Sequence, residues 1–169
     1  MDILQAISSR RSIRKFTGEQ ISEDQLTTIL KAGFQAPSAH NFQPREYIVV
    51  RDKDIIERIP KFHPYTKMLP SAGCGIIVCG DKEKQKETGF LVSDCSASIQ
   101  NLLLAIEGLG LGGVWCGLYP IEKLMEPMSE LLELPEHIIP IGMVVVGVKA
   151  EQKDEIDRYD GDKVHHNKW

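Results

Sequence analysis

The sequence predicts an α+β domain in which long helices flank a mixed, mostly antiparallel sheet of about four strands. Three observations carry that expectation. Short apolar runs at 47–50, 74–80 and 138–148 have the length and the β-branched or unbroken apolar character of strands. The segments 22–36 and 88–109 repeat their apolar residues at helical spacing. Strand and helix patterns follow one another with no internal repeat and no low-complexity stretch, which leaves a single domain over residues 1–169.

Each element has its own sequence reason. Asp2 is placed to cap a first helix in which Ile3, Ala6 and Ile7 recur at helical spacing, ending near Arg10. Ser22-Glu23-Asp24-Gln25 has the form of a capping box, and Leu26, Ile29, Leu30 and Gly33 follow as the stripe to be buried until Ala36-Pro37 stops it. Residues 37–44 then form a loop, 46–51 a strand and 52–59 a short helix. Cys74-Gly75-Ile76-Ile77-Val78-Cys79-Gly80 is apolar throughout, as a central strand buried on both faces requires. Residues 88–109 carry almost no charge between Asp94 and Glu107, so this helix is expected in the core, covered on most sides. Gly108, Gly110, Gly112 and Gly113 break it. Val114-Trp115-Cys116 reads as a short extended piece leading to Pro120, which suits the first position of a further helix. After the last strand, the polar tail 149–169 is too poor in apolar residues to pack alone, yet ends in Val164 and Trp169, so a surface outside it must hold it.

Composition narrows the function classes. With 42% hydrophobic and 26% charged residues the chain has the balance of a folded globular protein. A net charge of -4 argues against generic nucleic-acid affinity, which needs excess Lys and Arg. The start has no signal-peptide pattern and no stretch reads as a membrane span, so the expectation is a cytoplasmic protein that binds no membrane. Cys74, Cys79, Cys95 and Cys116 form no CxxC pair and are expected to be reduced, buried small hydrophobes. The five histidines are scattered along the chain, and no metal site is expected.

Three short motifs could carry chemistry. In Arg10-Arg11-Ser12-Ile13-Arg14 an extended backbone would turn Arg10, Ser12 and Arg14 to one side, which suits an anionic ligand with several oxygens; a solvated basic surface explains the string alone equally well. Pro37-Ser38-Ala39-His40-Asn41-Phe42-Gln43-Pro44 is a loop with restricted backbone and several polar groups, fit for a planar hydrogen-bonding ring or simply for a turn. Gly108-Leu109-Gly110-Leu111-Gly112-Gly113-Val114-Trp115 has closely spaced glycines, but they close a helix and precede a strand, the reverse of a dinucleotide-binding loop. There a backbone could approach a flat ligand; a helix cap plus a turn accounts for the first glycines as well.

At these positions and in this order the three motifs resemble the nitroreductase family of FMN enzymes, and Gly147 with the ending Asp157-Arg158-Tyr159 to His165-His166-Asn167-Lys168-Trp169 fits too. The resemblance spans essentially the whole chain and implies an intertwined homodimer, with tail 149–169 wrapping the partner. It implies that Arg10 and Ser12 bind the FMN phosphate and ribityl region, with Arg11 alongside and Arg14 near the pyrimidine edge. It implies that Pro37, Ser38, Asn41 and Gln43 reach the flavin from the other subunit, that Gly112, Gly113 and Val114 pass the isoalloxazine, and that Arg158 meets the phosphate. The family often has an aromatic residue after the Gln-Pro pair, whereas here Arg45 follows Pro44, a departure that bears on substrate preference.

The implied reaction is reduction of nitroaromatic, quinone or similar small acceptors by NAD(P)H in two steps through flavin N5, with no catalytic side-chain set required. Phe62 and Tyr65 are candidates for the substrate-side wall, or for ordinary packing. Enone reduction or reductive dehalogenation on the same fold, and flavin storage or regulation without turnover, are the competing expectations.

Overall fold

The computed structural model describes residues 2–169. Its sheet has four strands, β1 (Arg45–Val50), β2 (Cys74–Asp81), β3 (Gly112–Gly117) and β4 (Ile138–Gly147), in the order β1-β2-β4-β3. Six helices accompany them: α1 (Ile3–Ser9), α2 (Glu23–Phe34), α3 (Lys53–Phe62), α4 (Leu69–Ala72), α5 (Thr88–Gly108) and α6 (Glu122–Leu131). Every strand pairing is antiparallel. The expected mixed character reduces to one isolated parallel bridge between Ser12 and Gly113.

Alternation along the central strands builds two cores. Ile76 and Val78 of β2, with Val144 and Val146 of β4, face Leu26 and Ile29 of α2 and Ile99, Leu102 and Ile106 of α5. Ile77 and Cys79, with Met143 and Val145, face Ile56, Ile59, Leu69, Leu124 and Met128 on α3, α4 and α6. Burial on both faces is why β2 reads as an unbroken apolar run. In β4, Val78 pairs with Gly142 and Cys79 with Pro140, so Ile141 is the extra residue of a β-bulge.

The start signals act as expected. Asp2 Oδ1 accepts from the N–H of Leu4 and Gln5, and Ser22 with Gln25 closes a capping box at α2. Other expectations need correction. Helix α3 does not stop at residue 59 but runs through Pro60 to Phe62, because Phe62 packs into the core and His63 N–H caps the Ile59 carbonyl. Pro120 is not the first residue of α6; Ile121 is the cap and Glu122 begins the helix. Residues 88–108 do have the length and apolarity of a membrane span, 21 residues at mean hydropathy 1.3. Here their apolar stripe lies against the sheet and α2, so α5 is a core helix.

Coverage of the helices is incomplete. In α1 only Ala6 is buried, while Ile3, Leu4 and Ile7 are 62%, 74% and 53% exposed. Ile3, with Ala6, borders an apolar groove of about 500 Å³ shared with Ala32 of α2 and Leu104, Ala105 and Gly108 of α5.

Candidate cofactor site

The segment 10–14 is laid along β3 by its backbone. Helix α1 ends as Arg10 leaves helical geometry at ψ 122°, Ser12 bridges to Gly113, and Ile13 N–H donates to the Gly113 carbonyl at 3.0 Å. Ile13 turns into the core at 3% exposure. The crossing requires a glycine at 112, since a Cβ there would sit 2.8 Å from Ile13 Cγ2 and 2.9 Å from Lys149 Cβ. The side chains of Arg10, Ser12 and Arg14 make no hydrogen bond or ion pair among the described residues. Arg11 differs: its guanidinium donates to the Asp154 carbonyl of the tail. Two cations and a hydroxyl are thus presented with their donors free, beside β3.

Arg14 continues this surface toward a cavity of about 280 Å³ that it lines with Pro64, Tyr65, Lys67 and Met68. Lys67 was missed by sequence reasoning, because nothing in its local sequence brings it to Arg14. Cys116 of β3 ties the two segments: its thiol donates to the Tyr65 carbonyl at 3.3 Å, and its pKa, pushed up to about 11 by burial, is partly lowered by Arg14. On the other side His63, fully buried, shares a 2.9 Å hydrogen bond between Nε2 and the Gly117 carbonyl, and burial holds its pKa below the usual value. Tyr65 is 73% exposed and remains available as a wall, whereas Phe62 packs into the core. All four cysteines are buried and free, with Cys79 and Cys95 pushed up to about 12 by burial, so none is a ready nucleophile.

The loop 37–44 is held in an unusual backbone state. His40, Asn41 and Gln43 have φ of 55°, 57° and 50°, a left-handed region that non-glycine residues adopt at a cost. Three hydrogen bonds hold them there: Gln43 N–H to Ser38 Oγ at 2.9 Å, Gln43 Nε2 to Asn41 Oδ1 at 2.8 Å, and Ala39 N–H to Asp94 Oδ1 at 2.9 Å. The Ser38 hydroxyl proton, the Asn41 amide N–H groups and Gln43 Oε1 are left for another partner. Beside them His40, Phe42 and Phe90 border a hollow of about 350 Å³.

The loop and the Arg10–Ser12–Arg14 surface are not brought together within one chain. The loop is pinned to Asp94 near the start of α5, while Ser9, next to Arg10, bonds Glu107 at its end, and these two anchor residues of α5 stand about 20 Å apart along a helix rising 1.5 Å per residue. Arg158 lies in the exposed tail and makes no hydrogen bond or ion pair among the described residues. Arg45 is turned inward at 3% exposure and donates to the Phe34 carbonyl at 2.5 Å, so it lines no substrate surface in this chain. His137, scattered in sequence, comes within 4.8 Å of Asp81 and Glu83, but Lys84 Nζ already stands 3.6 Å from Asp81.

Comparison with known proteins gives the family to which the chain is similar. Residues 7–68 and 63–148 match the profile of the Nitroreductase family. A Methanothermobacter thermautotrophicus protein with the provisional name NADH dehydrogenase/NAD(P)H nitroreductase is 44% identical over all of this chain and 88% of its own length. A Bacillus subtilis FMN reductase [NAD(P)H] is 27% identical over 98% of this chain and 73% of its own. A crystal structure from Parabacteroides distasonis, under the same provisional name as the first, superposes with TM-score 0.95 at 34% identity, covering 99% of this chain and 98% of that one.

Proposed function

The chain belongs to the nitroreductase family, and we propose that it is an FMN-dependent oxidoreductase drawing on NAD(P)H, with its site completed by a second copy of the chain. One observation carries the reading: Arg10, Ser12 and Arg14 alternate along the segment that bridges to β3 at Ser12, their side chains making no hydrogen bond or ion pair among the described residues, and Gly112 lets the backbones close up there. The donor set fits FMN. Arg10 and Ser12 supply a guanidinium fork and a hydroxyl for the phosphate and ribityl oxygens. Arg14 and Lys67 place two positive charges around one cavity, where they would favour the anionic form of the ring's pyrimidine edge. Gly112, Gly113 and Val114 offer backbone at close approach. Arg11, engaged by the tail, acts beside the phosphate end by fixing the tail there.

The chemistry that bound FMN supplies is hydride acceptance at N5 from NAD(P)H and delivery of two electrons to a nitroaromatic, quinone or similar small acceptor. Pro37, Ser38, Asn41 and Gln43 of a second copy close the other side, with hydrogen-bonding groups left over from the loop's own network. The exposed Ile3, Leu4 and Ile7, the groove against α5 and the uncovered tail residues Tyr159 and Trp169 supply apolar surface for that dimer. Arg158 reaches the phosphate once the tail is docked. The test is direct: the purified protein should be yellow, or become so with added FMN, and NADH or NADPH should bleach it. A protein that takes up no FMN refutes the reading. Steady NAD(P)H oxidation with a quinone separates an enzyme from a flavin store.

A further inference from the structure

Tail residues 149–154 hold the backbone of the Arg10–Ser12–Arg14 surface. Lys149 bridges to Phe16, and Ala150 N–H donates to the Lys15 carbonyl at 2.8 Å. Past Ile13 the segment leaves β3, so the N–H groups of Arg14 and Lys15 have no strand to pair with. Glu151 Oε1 accepts both, at 2.6 and 3.2 Å. Lys153 Nζ, 3.5 Å from Glu151, donates to the Ser12 carbonyl at 2.6 Å. Accepting two N–H groups holds the Glu151 carboxyl below the usual carboxylate range, and an ionised acceptor makes such bonds short and strong.

We infer that Glu151 is a positioning residue for the cofactor: its carboxylate fixes the backbone at Arg14, and so the spacing of Arg10, Ser12 and Arg14 toward FMN, without touching FMN itself. The inference rests on the flavin reading above. It also joins the cofactor to the dimer. From Asp154 onward every residue is exposed, so the stretch from Lys149 to the Asp154 carbonyl held by Arg11, with Glu151 and Lys153 at its centre, is where the tail is fastened to its own chain. A tail docked on a second copy would steady the clasp, and bound FMN would by reciprocity steady the tail.

The full-length variants E151A and E151Q, stripped of FMN and titrated with it, test this. E151A should raise the FMN Kd about tenfold or more by losing both charge-assisted bonds. It should also shift the bound flavin's midpoint potential negative, because Arg14 is no longer held at the ring. E151Q keeps an oxygen that accepts the same two N–H groups and should stay within about threefold of wild type. If E151A does not fold, K153A replaces it, with a raised Kd at an unchanged FMN-free thermal midpoint as the expected result. A wild-type Kd and potential in E151A, or a wild-type Kd in K153A where that stands in, overturns the role, even if the variant melts earlier. A wild-type chain that takes up no FMN overturns the flavin reading and this inference together.

Discussion

Arg10 is half-buried, with no hydrogen bond or ion pair among the described residues, so replacing it by Ala should leave the flavin-free fold nearly untouched. Its thermal midpoint should stay within about 2 °C of wild type, as for a surface change of about 0.5 kcal/mol. The loss falls on the ligand instead. A charge-assisted hydrogen bond is worth about 1.5 to 3 kcal/mol, so the FMN Kd should rise about 10- to 150-fold. Asn41→Ala should weaken FMN too, by removing amide donors and placing Ala at φ 57°. Combining the two variants tests whether the site is shared. If Arg10 of one chain and Asn41 of another serve the same flavin, a mixed dimer of Arg10→Ala and Asn41→Ala chains has one doubly damaged site and one intact site. Random pairing then leaves about a quarter of all sites intact. Co-refolded chains, titrated at an FMN concentration between the wild-type and variant Kd values, should show that fraction as bound flavin fluorescence quenching. Sites built within one chain would all carry a lesion, and occupancy no higher than that of the parents would refute the shared site.

Two further perturbations probe the scaffold. Gly112→Ala forces a Cβ to 2.8 Å from Ile13 and 2.9 Å from Lys149, both held by backbone bridges, and should destabilise by about 1 to 3 kcal/mol, read as a lower thermal midpoint. Gly108→Ala, with nothing within 4 Å, is the control and should be neutral or slightly stabilising; equal midpoints for the two would disprove the tight crossing. His63 is neutral and buried with its folded pKa depressed, so below about pH 6.5 the unfolded chain binds a proton that the folded chain does not. Stability should be fully present above that pH and decline as pH falls through the window between the two pKa values, by at most about 1.4 kcal/mol per pH unit. Urea melts of wild type and His63→Asn between pH 5 and 7.5 check this. The depressed Glu151 pKa acts only at lower pH, since its contribution is lost as pH falls through the carboxylate range. A wild-type slope between pH 5 and 7.5 no steeper than that of His63→Asn would count against the His63 linkage.

The features legible in the sequence are those written by local chemistry. Asp2 and the Ser22–Gln25 box announced their helices, and the uninterrupted 74–80 run announced a strand with two covered faces. Helix α5 was placed correctly yet misjudged as to apolarity, because a 21-residue core helix and a membrane span differ in what surrounds them and not in composition. Arg10, Ser12 and Arg14 were named from alternation and resemblance. That their side chains are free while Arg11 is engaged depends on residue 154, which no local pattern reveals. Lys67 joining Arg14, and the inward turn of Arg45, likewise follow from contacts between distant segments.

The loop 37–44 gives the shared site its physical logic. Left-handed φ at His40, Asn41 and Gln43 destabilises the chain, by about 1 to 2 kcal/mol for a residue that gains no compensation there. Within one chain that conformation gains ring contacts of His40 with Phe42 and Phe90, but it leaves both phenylalanines about half exposed beside a hollow and polar groups of Asn41 and Gln43 unused. The same geometry is intelligible if the loop is preorganised for a ligand carried by a second copy, because strain already present in the free protein is not charged against binding. The clasp at Glu151 does for the Arg14 segment what Asp94 and Ser38 do for the loop. Both sides of the proposed flavin site are therefore fixed by carboxylate or hydroxyl acceptors that hold backbone N–H groups, leaving the ligand-facing side chains free.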